Sequence, residues 1–221
     1  MMKELYALGI GFTTPVFIEI AIDCGYTIAG LYHYNNDRTG EMDHGYKILG
    51  SFEDLFSQDI TGKLFLLTMG DMRIRKDLTD RIYSRGGIIP TLIHPTARVS
   101  KFAHVSQNGV LIAPNCIVQA DVTIADGVVM RDQALICHTT NIESFVFIGP
   151  QALVGALLNI KEFVFIGQKS LLISKKAKII GPNSIVGAGS VVTKSFESGT
   201  TVIGNPAKLL ETKGTSTEVN P

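Results

Sequence analysis

Every sixth residue from Ile112 to Leu172 carries a bulky apolar side chain: Ile112, Val118, Ile124, Met130, Ile136, Ile142, Ile148, Val154, Ile160, Ile166 and Leu172. Neither the 3.6-residue period of a helix nor the two-residue period of an ordinary strand produces such a ladder. An offset of one residue joins it to Val99 and Val105 upstream, and an offset of two joins it to Ile180, Val186 and Val192 downstream. Hexads of this kind close in threes into a triangular coil. The segment from about Val99 to Val192 is therefore expected to form a left-handed parallel β-helix, in which residues eighteen apart stack and the ladder fills a continuous prism. Each fully buried aliphatic contributes about 1.5–3 kcal/mol to that core. The fifth hexad position is compact, as at Cys116, Val122, Ala134, Thr140, Ser170 and Ser190, with only Leu158 larger, which suits a tight corner. The second position often holds glycine (Gly149, Gly155, Gly167, Gly181, Gly187), expected to supply the corner dihedrals that a Cβ disfavours.

Upstream of the ladder, short apolar strands alternate with helical patterns, the signature of a parallel α/β unit. Strands are expected at Leu5–Gly9, Thr27–Tyr32 and Leu64–Met69. Thr14-Pro15 reads as an N-cap followed by a first-turn proline, opening a helix that Gly25 stops. A second helix is expected near Ser51, with Glu53 and Asp54 in its first turn, and a third over Arg73 to Ser84. Pro90 and Pro95 mark a linker. The expected organisation is an α/β N-terminal Rossmann-like subdomain over 1–92, the left-handed β-helix over 93–211 and a flexible tail over 212–221.

The 20 basic and 20 acidic residues cancel, which leaves no global field to attract nucleic acid or an anionic membrane. Three cysteines form neither an even disulfide framework nor a C-x-x-C pair, and no apolar run reaches the ~18 residues of a membrane span. A cytoplasmic protein is expected. A zinc site of three histidines from facing coils is disfavoured, because His104 and His138 are not separated by whole coils and the ladder holds no third histidine.

The segments "LIHPTARVS", "IGPNSIVGAGSVVTK" and "IGNPAK", following an N-terminal "YALGIG" strand and turn, resemble one family over almost all of residues 3–210. It is the bacterial hexapeptide-repeat sugar acetyltransferases, which include the sialic-acid O-acetyltransferases and the N-acetyltransferases of UDP- or GDP-linked 4-amino-sugars. The resemblance implies a homotrimer serving polysaccharide biosynthesis, with acetyl-CoA along the groove between neighbouring β-helices and the α/β domain holding the nucleotide of a nucleotide-sugar. It implies N-acetylation of an amino-sugar, with O-acetylation of a sugar hydroxyl or non-catalytic binding of nucleotide-sugar and CoA as the alternatives.

Within that resemblance, His138 falls on the position of the family's catalytic histidine. The hexad pattern independently turns it away from the prism, and imidazole is the side chain suited to general-base work near neutral pH. Ala156, one coil later, falls where the family offers a backbone N–H to the thioester carbonyl. Cys137 alternates to the other face, so no activated nucleophile is evident and direct transfer is expected. Thr139 stands where the amino-sugar branch usually has an acidic residue after the histidine, Phe147 where a second histidine is expected, and Arg131 in place of an asparagine. Arg131 is a candidate acceptor contact. For the nucleotide, Gly9 and Gly11 begin a glycine turn whose third place is Thr14, which disfavours a nicotinamide cofactor but leaves backbone N–H groups for a phosphate. Tyr34 and Asn35 are candidates to stack on and hydrogen-bond the base, with Gly70 and Asp71 as secondary ones. For CoA the candidates are Lys175 and Lys176 at the ladder's irregularity, Lys194, and the backbone of Gly187, Ala188, Gly189 and Ser190, with Lys178 and Lys208 comparable. No metal ligands are assigned.

Overall fold

A computed structural model describes residues 3–210, so the expected tail lies outside the described residues. The chain opens with β1 (Lys3–Leu8), α1 (Thr14–Asp23), β2 (Tyr26–His33), β3 (Met42–Asp43), β4 (Tyr46–Ser51), α2 (Phe52–Phe56), β5 (Leu64–Leu67) and α3 (Met72–Tyr83). The sheet order is β3-β4-β2-β1-β5, parallel except where β3 pairs antiparallel with β4. The β3–β4 hairpin was not expected from sequence. Its turn is His44-Gly45, both residues with positive φ (46° and 85°), a conformation more often signalled by Asn-Gly or Asp-Gly. α2 begins at Ser51 as expected, through a capping box with Asp54. At α1 the expectation is corrected: Thr13 occupies the N-cap without a side-chain bond, and Thr14 is already helical.

From Leu92 onward the backbone coils into three sheets of two- and three-residue strands, parallel except where the closing Lys208–Leu209 pairs antiparallel with Thr201–Ile203. One face carries strands from Leu92–Ile93 to Phe165–Ile166 and beyond. The second runs from Arg98–Val99 to Val191–Val192, and the third from His104–Val105 to Ile179–Ile180. Stacked partners are eighteen apart, as in Ile117↔Leu135↔Leu153↔Leu171, and the spacing widens by two at Leu171↔Val191. The extra residues therefore lie between Leu172 and Ile179. This is the left-handed β-helix expected from the ladder, whose inward residues Ile136, Val154, Leu172 and Val192 are fully buried.

The corners depart from expectation in one respect. Left-handed φ values, between 54° and 65°, fall on the fourth hexad position, at residues such as Asn115, Thr139, Phe145, Leu157, Lys175 and Asn183. The second-position glycines Gly149, Gly155 and Gly167 do not adopt them; they are there because the neighbouring coil comes too close. A Cβ on Gly155 would lie 2.4 Å from the Leu172 carbonyl oxygen and 2.6 Å from the Ser174 nitrogen.

The α/β unit sits on the first face of the prism. Leu111 and Val129 point outward from that face yet are buried, and they share one apolar cluster with Phe17, Ile18 and Ala21 of α1. Two corners border this face. At one, Arg73 lies over Phe163 and donates to Asn183 Oδ1 at 2.7 Å; at the other, Arg131 lies over Phe17 of α1. The third corner, between the second and third faces, is opposite the α/β unit and carries His138.

Candidate active site

Along that third corner, the residues two beyond Ile136, Val154, Leu172 and Val192 form one column: His138, Ala156, Ser174 and Lys194. Successive coils are about 4.8 Å apart. The His138 side chain is exposed, while its backbone is pinned on both sides. Its N–H donates to Gln119 Oε1 at 3.0 Å and its carbonyl accepts from Leu157 N at 3.3 Å. Nδ1 lies 3.2 Å from Thr139 Oγ1. In the tautomer where Nδ1–H donates to that hydroxyl, Nε2 presents its lone pair outward, as a base requires. Thr139 thus meets the nitrogen that an acidic neighbour would orient, without supplying a charge. Gln119 was not expected at the site: the coil spacing stacks it under Cys137, and its side chain reaches across to the His138 N–H.

Ala156 stacks in register with His138, but its N–H is not free. It donates to Ser174 Oγ at 2.7 Å. Cys137 beside His138 is only partly exposed, and burial raises its thiol pKa, which disfavours a thiolate nucleophile.

The lysines distribute unevenly. Lys175 and Lys176 are exposed on the widened third corner, Lys175 with a left-handed φ of 64°. Lys194 stands in the His138 column with its ammonium 5.5 Å from the Phe196 ring centroid. Gly187 to Ser190 lie on a different corner, between the first and second faces. Most of their expected donors are spent: Gly187 N bonds Val202 O, Gly189 N bonds Gln168 O and Ser190 N bonds Gly187 O. The Ser190 side chain faces the prism and accepts from Gly204 N. Only the Ala188 N–H has no hydrogen-bond partner among the described residues.

In the α/β unit the carboxyl ends of β1, β2 and β5 converge, the usual crevice of a parallel sheet. A cavity of about 320 Å³ opens there, lined among others by Gly9, Gly11, Thr14, His33, Tyr34 and Gly70. Thr14 organises its floor: Oγ1 accepts the Gly11 N–H at 2.9 Å, donates toward Gly9 O and lies 3.1 Å from Thr68 Oγ1. The Gly11 N–H expected to meet a phosphate is therefore already bonded. Tyr34 is 69% exposed, its ring 4.2 Å from that of His33, so one aromatic face remains open at the cavity. Asn35 does not line the cavity. Its Oδ1 receives His33 Nδ1 at 2.9 Å and its Nδ2 donates to Asp37, which leaves His33 Nε2 as an acceptor. Asp71 is likewise engaged, capping α3 through Arg73 N (2.8 Å) and Ile74 N (3.2 Å). Gly70 and Asp71 line a second cavity of about 250 Å³ between α3 and Phe163, Phe165 and Asn183. Phe147, standing in place of a second histidine, stacks on Phe165 with centroids 4.8 Å apart.

Behind the crevice, buried Arg75 donates from Nη1 to the Leu67 carbonyl while its Nε has no partner among the described residues. Burial lowers its pKa to about 10, so it stays a cation at neutral pH. Nothing in the local sequence pattern distinguishes it from a surface arginine of an amphipathic helix.

Arg131 belongs to neither cavity. Its guanidinium sits 5.2 Å from the Phe17 ring centroid and 3.3 Å from Asp132, contacts that fasten α1 to the prism. Arg131→Ala is expected to cost roughly 1–2 kcal/mol in urea unfolding while leaving the KM of any nucleotide ligand unchanged.

Three solved structures share this architecture from end to end. A point mutant of perosamine N-acetyltransferase from Caulobacter crescentus, in complex with CoA and GDP-perosamine, is 25% identical; the match covers 96% of this chain and 99% of that one, with a TM-score of 0.86. The acetyltransferase domain of PglB from Neisseria gonorrhoeae FA1090, in complex with acetyl coenzyme A, is 29% identical over 95% and 100% of the two chains, with a TM-score of 0.76. WeeI from Acinetobacter baumannii AYE, at 21% identity over 94% and 100%, shares the fold with a TM-score of 0.80. The chain matches no family model. Over nearly its whole length, and with an exposed histidine on the prism corner, the chain is similar to bacterial hexapeptide-repeat sugar acetyltransferases.

Proposed function

We propose that this protein transfers the acetyl group of acetyl-CoA to the amine of a nucleotide-linked amino-sugar. The observation that carries the reading is the pairing of two features in one chain. One is an outward-facing imidazole in register with Ala156 and Ser174 on the next two coils; the other is a crevice at the carboxyl ends of β1, β2 and β5. The likeness to an enzyme crystallised with CoA and GDP-perosamine supports the substrate class. His138 Nε2 takes a proton from the attacking amine as its nitrogen bonds to the thioester carbon. Donors on the same corner stabilise the oxyanion, and on collapse the imidazolium returns the proton to the departing CoA sulfur. Such a base contributes about 10²–10⁴-fold to the rate.

The protein acts as a homotrimer in this reading. His138 lies on the corner opposite the face that carries the α/β unit, so an acceptor held in one chain's crevice reaches the His138 of a neighbour, not its own. The outward residues Leu153, Leu157, Ile179 and Ile185 are large, apolar and more than a third exposed in the isolated chain, which supports burial against a second copy. Lys175, Lys176 and Lys194 are the charges nearest the column for the CoA phosphates, and an Ala188 N–H from an adjoining corner is available to pantetheine.

Thiol release from acetyl-CoA tests the reading, with UDP- and GDP-linked 4-amino-sugars compared against sialic acid and unaminated nucleotide-sugars. Release only with the amines is expected. Release with the hydroxyl acceptors would assign O-acetylation instead, and tight acetyl-CoA binding without release on any acceptor would make the chain a binding protein.

A further inference from the structure

We propose that Ser174 is a catalytic residue: its hydroxyl, held by the Ala156 N–H, donates to the oxyanion formed during acetyl transfer. The inference rests on the acetyltransferase reading above and adds a residue to it.

Ser174 stands one coil beyond Ala156 and two beyond His138, in the same outward column. Its Oγ accepts the Ala156 N–H at 2.7 Å. Bare Gly155 makes that contact possible, because a Cβ there would fall 2.7 Å from the same hydroxyl oxygen and 2.6 Å from the Ser174 nitrogen. Steric room and hydrogen bond therefore belong to one arrangement. The Ala156 N–H is consumed inside the chain, and it delivers its polarisation through a side chain.

A hydroxyl that accepts from an N–H becomes a better donor through its own hydrogen. No acceptor takes that hydrogen among the described residues, and Ser174 is half-buried at the corner where the coil widens. The O–H is thus free to turn outward along the groove. The distances agree with this use. Two coil steps separate His138 from Ser174 by about 9.6 Å. The chain of contacts from a donating hydroxyl through oxyanion, carbonyl carbon and amine nitrogen to an imidazole, with hydrogen bonds near 2.8 Å at both ends, spans about 8 Å. An oxyanion bonded at the level of Ala156 itself would crowd the Ser174 oxygen already there.

The test compares kcat and KM for Ser174→Ala, Ser174→Thr and Ser174→Cys, with His138→Ala alongside. Ser174→Ala is expected to lower kcat about 10²-fold with the KM for acetyl-CoA unchanged, since the lost bond forms only as charge develops. Ser174→Thr, which keeps the hydroxyl, is expected to recover most of the rate. Should the alanine variant fold poorly, the near-isosteric cysteine, a weak donor, is expected to show the same fall in kcat at wild-type melting temperature. An unchanged or increased kcat in Ser174→Ala would show that the freed Ala156 N–H acts alone and would overturn the proposal. A raised KM at constant kcat would overturn it too, leaving Ser174 a binding contact. If His138→Ala turns over like the wild type, the acetyltransfer mechanism itself fails. If His138→Ala is inactive and Ser174→Ala is not impaired, only the role of Ser174 falls.

Discussion

His138→Ala is expected to reduce kcat by about 10²–10⁴-fold while leaving the KM for acetyl-CoA and the melting temperature close to wild type. The split follows from where the imidazole stands. The side chain is exposed and its one bond among the described residues is to Thr139 Oγ1, so its removal leaves no cavity and strands no buried group. Its backbone bonds to Gln119 and Leu157 survive the substitution and keep the corner in shape. Steady-state thiol release at saturating acetyl-CoA, with a melting curve on the same sample, measures both quantities. A variant that loses stability along with activity would mean that His138 holds the corner together rather than working on a substrate.

The largest expected loss of stability lies one residue before Ala156. Gly155→Ala places a methyl group 2.4 Å from the Leu172 carbonyl oxygen and 2.6 Å from the Ser174 nitrogen, both backbone atoms of the next coil. A flexible side chain could turn aside, but stacked backbone in a continuous parallel ladder cannot yield locally. Roughly 3 kcal/mol or more is expected, read as a drop in the urea midpoint at fixed protein concentration. Gly11→Ala is the control, because nothing stands within 4 Å of the Cβ it would add and its φ is not left-handed. Its midpoint is expected to stay within a few tenths of a kcal/mol. Equal, small effects at both positions would show that the coils separate readily and that second-position glycines are not a steric requirement.

The contrast between those glycines shows what the sequence can and cannot express. A six-residue ladder with offsets of one and two was enough to locate the β-helix and its irregularity after Leu172, because inward burial repeats strictly and the residues say so directly. The glycines at the second position were visible as a pattern, but their cause was misread. Close approach between coils is a property of backbone stacking, and the left-handed corner falls instead on residues such as Phe145 and Leu157 that no propensity would nominate. The His44-Gly45 hairpin was missed for a similar reason, its turn being built from an uncommon pair.

At the candidate site, counting in eighteens placed Ala156 over His138 correctly, and carried one step further it reaches Ser174. What counting cannot show is whether a donor is already engaged. The N–H groups of Gly11, Ala156, Gly187 and Gly189 are all bonded within the chain, which only coordinates reveal. Arg131 and Asn35 were plausible ligands by position, yet one fastens α1 to the prism and the other fixes the ring of His33. Their side chains are long enough or polar enough to find partners at home.

The most direct measurement is a crystal structure of the protein with CoA and a nucleotide-linked amino-sugar bound together. The expected result places the CoA sulfur beside the column of His138, Ala156 and Ser174. The sugar amine lies within about 3 Å of His138 Nε2, and the nucleotide occupies the crevice of Gly9, Tyr34 and Gly70 in a neighbouring chain. A sulfur bound on another corner, or an amine reaching His138 from the same chain's crevice, would contradict it.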